Sequence, residues 1–324
     1  MESDGNIFLT VIVPVYGVES YLRQCVDSLL AIDCQDMEII LVDDGGHDGC
    51  PAICDGYAVK DNRVMVVHQA NGGAAAARNA GLDRARGRWL WYVDGDDYVL
   101  PAAAEKVISH VRSADCDYVQ FGFARANAAG DIVEECPAAT SDGADSNTFF
   151  LAYPLYYHWS AWFSRDIVER HCLRFTPGVR IAEDQEMMYA CQMYVRRPVQ
   201  VAATVYCYRQ REGSVMHDKD ARSHAVSDAF TVLDHWRRRL ADENITPSPW
   251  INAKLLRFVK TLLYGARHLT RIERHTLQVR LCRMLDDYAA LDFSFPRDKR
   301  LQIARRSVTV YLLLNKIYLL LKGY

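Results

Sequence analysis

The chain has 324 residues, 50% of them hydrophobic, and a formal net charge of −3 at pH 7. This length and apolar content suffice for one full catalytic domain and a further segment. Residues 222–324 hold 19 Lys and Arg against 9 Asp and Glu, whereas the first 221 residues hold 19 against 32. Because a groove that follows a nucleic-acid backbone needs clustered Lys and Arg, the acidic first part excludes nucleic acid as its partner.

The ten cysteines lie between Cys25 and Cys282 and include no C-x-x-C pair. At the N-terminus the sequence lacks a basic segment followed by a long apolar run, the pattern of a secretory signal. These features predict reduced thiols and a location in the cytoplasm. Cys50 and Cys54 have a spacing that suits metal ligands, but no second pair accompanies them, which favours buried or helix-face thiols.

The first 125 residues alternate between short β-rich runs and helical patterns. Strands are predicted at Phe8–Val15, Glu38–Asp43, Val64–His68, Trp89–Asp94 and Tyr118–Ala124. Helices are predicted at Glu19–Ala31, Pro51–Lys60, Ala74–Arg86 and Pro101–Arg112. The alternation is typical of βαβ units, so we predict an α/β fold with a mostly parallel sheet.

Three of these strands end in residues suited to a nucleotide. The segments are Pro14–Gly17, Asp43–Gly46 and Asp94–Asp97. Ligands bind outside the carboxyl ends of parallel strands, and two neighbouring carboxylates supply the hard oxygen ligands of a cation on a diphosphate. Gly and Asp also make ordinary turns, but three such ends along one sheet edge favour a binding site.

The stretch Asn71–Leu82, between the third and fourth strands, is rich in Gly and Ala. Asn71 or the glycines are candidates to cap a helix, with Arg78 one to two turns inside it. This arginine could pair with a phosphate or with a strand-end aspartate. The alternative, an ordinary surface arginine, is disfavoured because the stretch carries almost no other charge.

Four segments together closely resemble family 2 glycosyltransferases, which are inverting enzymes that use nucleotide sugars. The segments are Val11–Tyr16, Glu38–Gly45, Asn71–Gly81 and Val93–Asp97. A later stretch, with Ser160–Arg165, Leu173–Phe175 and Ile181–Met187, is similar to the acceptor side of the same family. The resemblance reaches about residue 217.

The resemblance implies a GT-A (Rossmann-like) catalytic domain over residues 1–221, with a mostly helical C-terminal region at 222–324. Within the domain, residues 1–125 would bind the nucleotide sugar and residues 126–221 the acceptor. At the donor site, Asp43 and Asp44 would bind the nucleoside. Pro14 and Tyr16 would form a wall against its base, and Arg78 would approach the base or the diphosphate.

The D-x-D pair is implied to hold Mn²⁺ or Mg²⁺ on the donor diphosphate. Asp96 is the better candidate for direct metal contact, Asp94 also suits the ribose or sugar of the donor, and Asp97 would orient both. His217 is a further candidate metal ligand, with Arg209 or Arg211 as phosphate contacts. The residues from Tyr206 to His217 begin with the alternation of a strand, and the alternative for this segment is a solvated edge strand that ends in a histidine.

The resemblance assigns the catalytic base to Asp184, with Glu183 as its neighbour or substitute. Displacing a nucleoside diphosphate from a sugar needs a base for the acceptor hydroxyl, and a single displacement inverts the anomeric centre. Because an ordinary carboxylate is a weak base, we expect the surroundings of Asp184 to raise its pKa. An acidic first helical turn is a structural explanation for the same residues.

Two aromatic side chains and one departure from the family complete the predicted site. Trp159 and Trp162 precede the acceptor segment; one is expected in the core, and Trp162 is the candidate for the acceptor wall. The usual hydroxyl residues after Asp-Asp-Gly are replaced by Gly46 and His47, which leaves the donor sugar open.

The C-terminal region is predicted to be helical at Ala225–Leu240, Trp250–Leu269 and Arg271–Ala290. A basic lead, from Arg297 to Arg306, then precedes the apolar run Val308–Leu321, which is shorter than the ~20 residues of a spanning helix. This pattern fits peripheral attachment to the inner membrane surface. Packing on the catalytic domain or in a homodimer is an equal alternative.

The predicted function is metal-dependent, inverting transfer of a hexose or N-acetylhexosamine from a nucleotide sugar, with UDP favoured. The acceptor would be a saccharide or a lipid-linked saccharide in cell-surface polysaccharide or lipooligosaccharide synthesis. A sugar-nucleotide pyrophosphorylase would need a basic Gly-rich loop after the first strand, where Pro14–Gly17 stands. An aspartate phosphatase would carry Thr or Val where Asp97 stands, and a non-catalytic sugar-nucleotide-binding module would be expected to lack Asp184.

Overall fold

The computed structural model describes residues 7–141, 143–153, 157–211 and 219–321, without the side chains of residues 219–223 and 317–321. By its backbone contacts the chain forms two compact units. The first comprises Met1–Val179 and Glu183–His217, and the second comprises Arg180–Ala182 and Asp218–Tyr324. The division of function between residues 1–125 and 126–221 stays a prediction.

The first unit is built on one sheet, which has nine strands within the described residues. They are β1 (Leu9–Val15), β2 (Met37–Asp43), β3 (Val64–His68), β4 (Trp89–Tyr92), β5 (Tyr98–Val99), β6 (Tyr118–Ala126), β7 (Ile132–Cys136), β8 (Ala161–Ser164) and β9 (Pro198–Arg209). Their order is β3-β2-β1-β4-β8-β6-β9-β5, with β7 beside β6. The strands β1 to β4 pair in parallel, whereas β8 runs antiparallel to β4 and β6. The predicted α/β fold is therefore confirmed.

Seven helices belong to the described part of the first unit and five to that of the second. The first set is α1 (Glu19–Leu30), α2 (Cys50–Lys60), α3 (Ala74–Leu82), α4 (Pro101–Ser113), α5 (Ser146–Ala152), α6 (Arg165–Arg170) and α7 (Glu183–Gln192). The second set is α8 (Lys219–Asp242), α9 (Pro249–Gly265), α10 (Arg271–Ala290), α11 (Lys299–Arg306) and α12 (Val308–Leu321). The mostly helical C-terminal region is thus as predicted. Among the described residues, no helix combines the length and hydropathy that crossing a membrane requires.

Apart from Thr10, Glu38 and the last residues of β2 and β3, the parallel strands are apolar, because helices cover both faces of the sheet. One face packs against α1, α2 and α4 in a large core. On the other face, Ile40, Val42 and Ala77 form a smaller cluster under α3. Val15 pairs with Asp43, and Asp43 pairs with His68, so the ends of β1, β2 and β3 lie side by side at one edge.

Helix α3 approaches the sheet closely at Gly81. A Cβ atom at this position would lie 2.4 Å from Ile12 Cγ2 and 3.2 Å from Val42 Cγ2. Both neighbours are β-branched and therefore stiff at χ1. The glycine thus sets the distance between α3 and the strands that end at the predicted donor site.

We predict that Gly81→Ala destabilises the first unit by about 1–3 kcal/mol, because overpacking outweighs the better helix propensity of alanine. Gly56→Ala is the matched control, since Gly56 also lies inside a helix but nothing stands within 4 Å of its added Cβ atom. The control should be neutral or stabilise the unit by up to about 1 kcal/mol. Chemical denaturation measures both, and equal effects of the two substitutions would contradict the packing argument.

Candidate functional site

Asp44 holds the glycine loop that precedes α3. Its Oδ1 accepts hydrogen bonds from Gln69 Nε2 at 2.7 Å and from the Gly72 N–H at 2.8 Å. Its Oδ2 accepts one from the Gly73 N–H at 2.8 Å. These bonds use both oxygens of the carboxylate, which is buried. The structure therefore gives Asp44 a role in shaping the loop, and its predicted contact with a nucleoside stays a prediction.

Asp43, at the end of β2, is paired with a histidine. Asp43 Oδ2 lies 2.8 Å from His68 Nδ1, and His68 Nε2 lies 3.1 Å from Asp55 Oδ1. Hydrogen bonds to Asp43 and then to Asp55 raise the pKa of His68. Sequence reasoning missed His68, although a signal existed: it is the last residue of a predicted strand, in register with Asp43.

The end of β1 supplies the predicted wall for a base. Tyr16 is 54% exposed, and Gly17 takes a left-handed φ of 64° directly after it. Pro14 is partly buried within the strand. An exposed aromatic ring at the edge where β1 and β2 end is accessible to a planar ligand.

Arg78 joins the D-x-D segment to the Glu-Asp segment. Its buried guanidinium donates from Nη2 to Asp94 Oδ1 at 2.9 Å and from Nη1 to Glu183 Oε1 at 3.0 Å. The group also lies over the Phe175 ring, 5.4 Å from its centroid. Of the two partners considered for Arg78, the structure shows the strand-end aspartate.

Asn79, the next residue of α3, ties the same helix to the segment before α7. Its side chain donates to the Phe175 carbonyl at 2.8 Å and accepts from the Phe175 N–H at 2.9 Å. Phe175 is thereby fixed beside Arg78. Within this motif, Arg78 therefore pairs with the two carboxylates, and Asn79 holds the backbone of Phe175 beside it.

Asp97 orients the D-x-D loop through hydrogen bonds to β9. It is buried, accepts from the Tyr206 hydroxyl at 2.5 Å and accepts from the Arg209 N–H at 2.7 Å. The Tyr206 oxygen in turn accepts the N–H of Asp94 at 3.1 Å. Burial, with the charges of Asp96 and Asp94, raises the pKa of Asp97 well above its usual range.

Asp96 is paired with Arg211, whose Nε donates to Asp96 Oδ2 at 2.7 Å. Burial and the charge of Asp94 nevertheless raise the pKa of Asp96. Arg209, by contrast, is buried, and its guanidinium bonds the Asp96 and Ala128 carbonyls and Gln24 Oε1. Of the two arginines considered as phosphate contacts, Arg209 is thus already committed to the protein, which leaves Arg211.

The carboxylates of the D-x-D pair fit a cation that is shared with a diphosphate. Within the described residues, no three His, Cys, Asp or Glu side chains are arranged to hold a metal together. The side chains of Asp94 and Asp96 are 27% and 23% exposed, and each forms a salt bridge with an arginine. One or two carboxylates plus substrate phosphates are a usual magnesium environment. His217, the third predicted ligand, lies outside the described residues.

Asp184 lies in the first turn of α7, as its acidic sequence predicted, but its pKa was predicted in the wrong direction. Burial would raise this pKa, yet the proximity of His158 and the charge of Arg78 lower it below the ordinary value. His158 Nδ1 lies 3.6 Å from Asp184 Oδ2. It is Glu183 whose pKa is raised, by burial and by the charge of Asp184.

Both tryptophans of the acceptor segment are core residues. Trp162 is fully buried and packs against Trp91 and Phe121. Trp159 is 3% exposed and stacks on Tyr206, with ring centroids 4.2 Å apart. The prediction that Trp162 lines the acceptor site is therefore wrong. The sequence pattern of an apolar run next to a motif is the same whether the run faces a ligand or the core.

The family model for glycosyl transferase family 2 matches residues 10–172 of this chain. The chain is 33% identical over 218 residues to EpsJ of Bacillus subtilis (strain 168), an uncharacterized glycosyltransferase; the match covers 64% of this chain and 62% of EpsJ. It is 29% identical over 260 residues to the glycosyltransferase GlyG of Streptococcus pneumoniae serotype 4, covering 72% and 80% of the two chains. The chain thus spans less than two thirds of EpsJ.

Solved structures share the fold at low sequence identity. The crystal structure of S. aureus TarS 1-349 with UDP-GlcNAc has a TM-score of 0.74 and 19% identity, covering 96% of this chain and 91% of that one. The mannosyltransferase PcManGT from Pyrobaculum calidifontis, in complex with GDP-Man and Mn²⁺, has a TM-score of 0.51 and 16% identity, covering 96% and 88%. These likenesses identify the fold as GT-A.

We predict that Arg78→Met lowers the free energy of unfolding by about 3–5 kcal/mol, because it leaves two partly buried carboxylates without their shared cation. Arg84→Met, at an exposed arginine just after the same helix, is the matched control and should change it by less than about 0.5 kcal/mol. Chemical denaturation checks both. A small effect at Arg78 would show that the bridge contributes little to the fold.

Proposed function

Because the chain belongs to glycosyl transferase family 2, we propose that it is an inverting enzyme that transfers a hexose or N-acetylhexosamine from a UDP sugar to a saccharide acceptor. The observation that carries the proposal is the Arg78 guanidinium, 2.9 Å from Asp94 and 3.0 Å from Glu183. It brings the leaving-group residues and the candidate base segment together. The complex of TarS with UDP-GlcNAc supports UDP as the nucleotide.

In the proposed reaction, Asp43 and the exposed Tyr16 ring hold the nucleoside at the ends of β1 and β2. The loop that Asp44 fixes lies beside them. Arg78 and Arg211 keep the charges of Asp94 and Asp96 balanced and in place. Asp97 fixes the loop through Tyr206 and Arg209.

Asp94 and Asp96 would hold a Mn²⁺ or Mg²⁺ ion together with the donor phosphates. When bound, such an ion neutralises the charge that develops on the departing diphosphate. The presence of Mn²⁺ in the PcManGT complex supports this choice of cofactor. Arg211 would then be released from Asp96 and become available to a phosphate oxygen.

Asp184 is the proposed base. Its carboxylate takes the proton of the acceptor hydroxyl while the acceptor oxygen bonds to the anomeric carbon and the bond from that carbon to the diphosphate breaks. With its lowered pKa, Asp184 is ionised at neutral pH and free to accept the proton, although it is then a weaker base than an ordinary carboxylate. The single displacement converts an α-linked donor into a β-linked product.

The alternative functions use the same sheet without this base. A sugar-nucleotide pyrophosphorylase or a non-catalytic sugar-nucleotide-binding module would not depend on Asp184. The proximity of Glu183 to Arg78, and so to the D-x-D segment, favours transfer over both.

We also propose that the transfer serves cell-surface polysaccharide synthesis at the inner face of the membrane, with a lipid-linked saccharide as acceptor. Exposed Val310, Leu313 and Leu314 lie on one side of α12, which follows the basic helix α11. An apolar face next to basic residues suits an anionic membrane surface. Self-association through α12 is the alternative use of this face.

We predict that Asp184→Asn slows transfer about a hundredfold or more, because the base is lost. Affinity for UDP should stay near that of the unmodified chain. Release of UDP from a panel of nucleotide sugars, with manganese present, measures the first quantity, and calorimetry measures the second. Asp166→Asn, at an exposed acid of α6, is the control that should keep full activity. Unchanged turnover by Asp184→Asn, or no turnover of any nucleotide sugar by the natural chain, would contradict the proposal.

We predict that Asp96→Asn abolishes the gain in UDP affinity that manganese confers on the natural chain. The reason is that the substitution removes one of two carboxylates available to the ion. Calorimetric titrations with manganese and with a chelator check this. The proposed metal site would be wrong if chelation left UDP binding of the natural chain unchanged.

A further inference from the structure

His158 is a buried histidine beside the candidate base. It lies in the 3₁₀ turn His158–Ser160, directly before β8, and is 3% exposed. Neither ring nitrogen has a hydrogen-bond partner among the described residues. A neutral imidazole carries one N–H donor and an imidazolium carries two, so a buried donor without a partner has a free-energy cost in either state.

The ring is held in place by aromatic neighbours. Its centroid lies 5.9 Å from that of Tyr92 and 6.3 Å from that of Phe175, which meets it edge-on at 75°. Nδ1 points to Asp184 Oδ2 at 3.6 Å, which is longer than a full hydrogen bond. Hydrogen bonds at catalytic groups are often long before substrate binds and then tighten.

We propose that His158 is a positioning residue for Asp184, which fixes the orientation of the carboxylate and keeps it ionised while the acceptor hydroxyl loses its proton. The inference rests on the proposed function, in which Asp184 is the base. The other oxygen, Oδ1, accepts the Gln185 N–H at 2.7 Å. Contacts at both oxygens then set the plane of the carboxylate.

The charges around the pair determine the expected pH dependence. The charged groups around Asp184 are His158, Glu183 from α7 and Arg78 from α3, and the His158 ring also packs against the Tyr92 ring of β4. Removing His158 leaves burial to raise the pKa of Asp184 against only the charge of Arg78 and the Gln185 N–H bond. The base would then become protonated, and so inactive, at a higher pH than in the natural chain.

The test measures UDP release from whichever sugar in the panel reacts fastest, for His158→Phe, His158→Asn and Tyr92→Phe. Phenylalanine keeps the aromatic packing, whereas asparagine keeps a donor near the position of Nδ1 without a charge. Tyr92→Phe is the control in the same cluster. Thermal unfolding and UDP affinity verify that each variant folds and binds.

We predict that His158→Phe lowers kcat about tenfold near neutral pH with little change in the donor KM, a fraction of what the base itself supplies. The ratio of its rate to that of the natural chain should fall further as the pH is lowered from neutral and Asp184 takes up a proton. His158→Asn should recover most of the rate at the higher pH but keep the falling ratio. Tyr92→Phe should show a constant ratio.

A double substitution separates positioning from general stability. If His158 acts through Asp184, His158→Phe combined with Asp184→Asn is no slower than Asp184→Asn alone. Multiplied effects, or a pH-independent ratio for both His158 variants, would overturn the role of His158. An active Asp184→Asn variant would instead overturn the proposed base itself.

Discussion

The candidate site depends on one guanidinium. Arg78 binds Asp94, 16 residues away in the chain, and Glu183, 105 residues away, from a buried position on α3. Without a cation between them, two acidic segments in a partly buried space would repel each other. The close contact of α3 with β1 and β2 at Gly81 places the arginine there. The electrostatics of the site therefore depend on how α3 packs against the sheet.

The same principle recurs around the site, where three further acidic residues have basic partners. Asp43 is paired with His68, Asp96 with Arg211 and Asp184 with His158. Each pair has its own exposure: Asp43 and His158 are buried, whereas the side chains of Asp96 and Asp184 are 23% and 25% exposed. A cation and a diphosphate can therefore reach the partly exposed Asp96, and an acceptor hydroxyl can reach the partly exposed Asp184.

The parallel strands were predictable because each is a largely apolar run, and the motifs were predictable because β1, β2 and β4 lead into segments with Asp or Gly. Strands β5, β7 and β8 were not, since β5 has two residues, β8 has four, and β7 is largely exposed, so none has a strong pattern of its own. Strand β9 begins at Pro198, eight residues before the alternation that sequence reasoning recognised. His158 lacked any signal, because its contact with Asp184 depends on how separate segments pack against β4.

The proposed reaction is a single displacement by a base opposite the leaving diphosphate. Proton NMR of the sugar first released from an α-linked UDP sugar, recorded before the anomers equilibrate, tests this stereochemistry. The β anomer should appear first. Initial release of the α anomer would contradict it, because retention requires two displacements or a different geometry at the anomeric carbon.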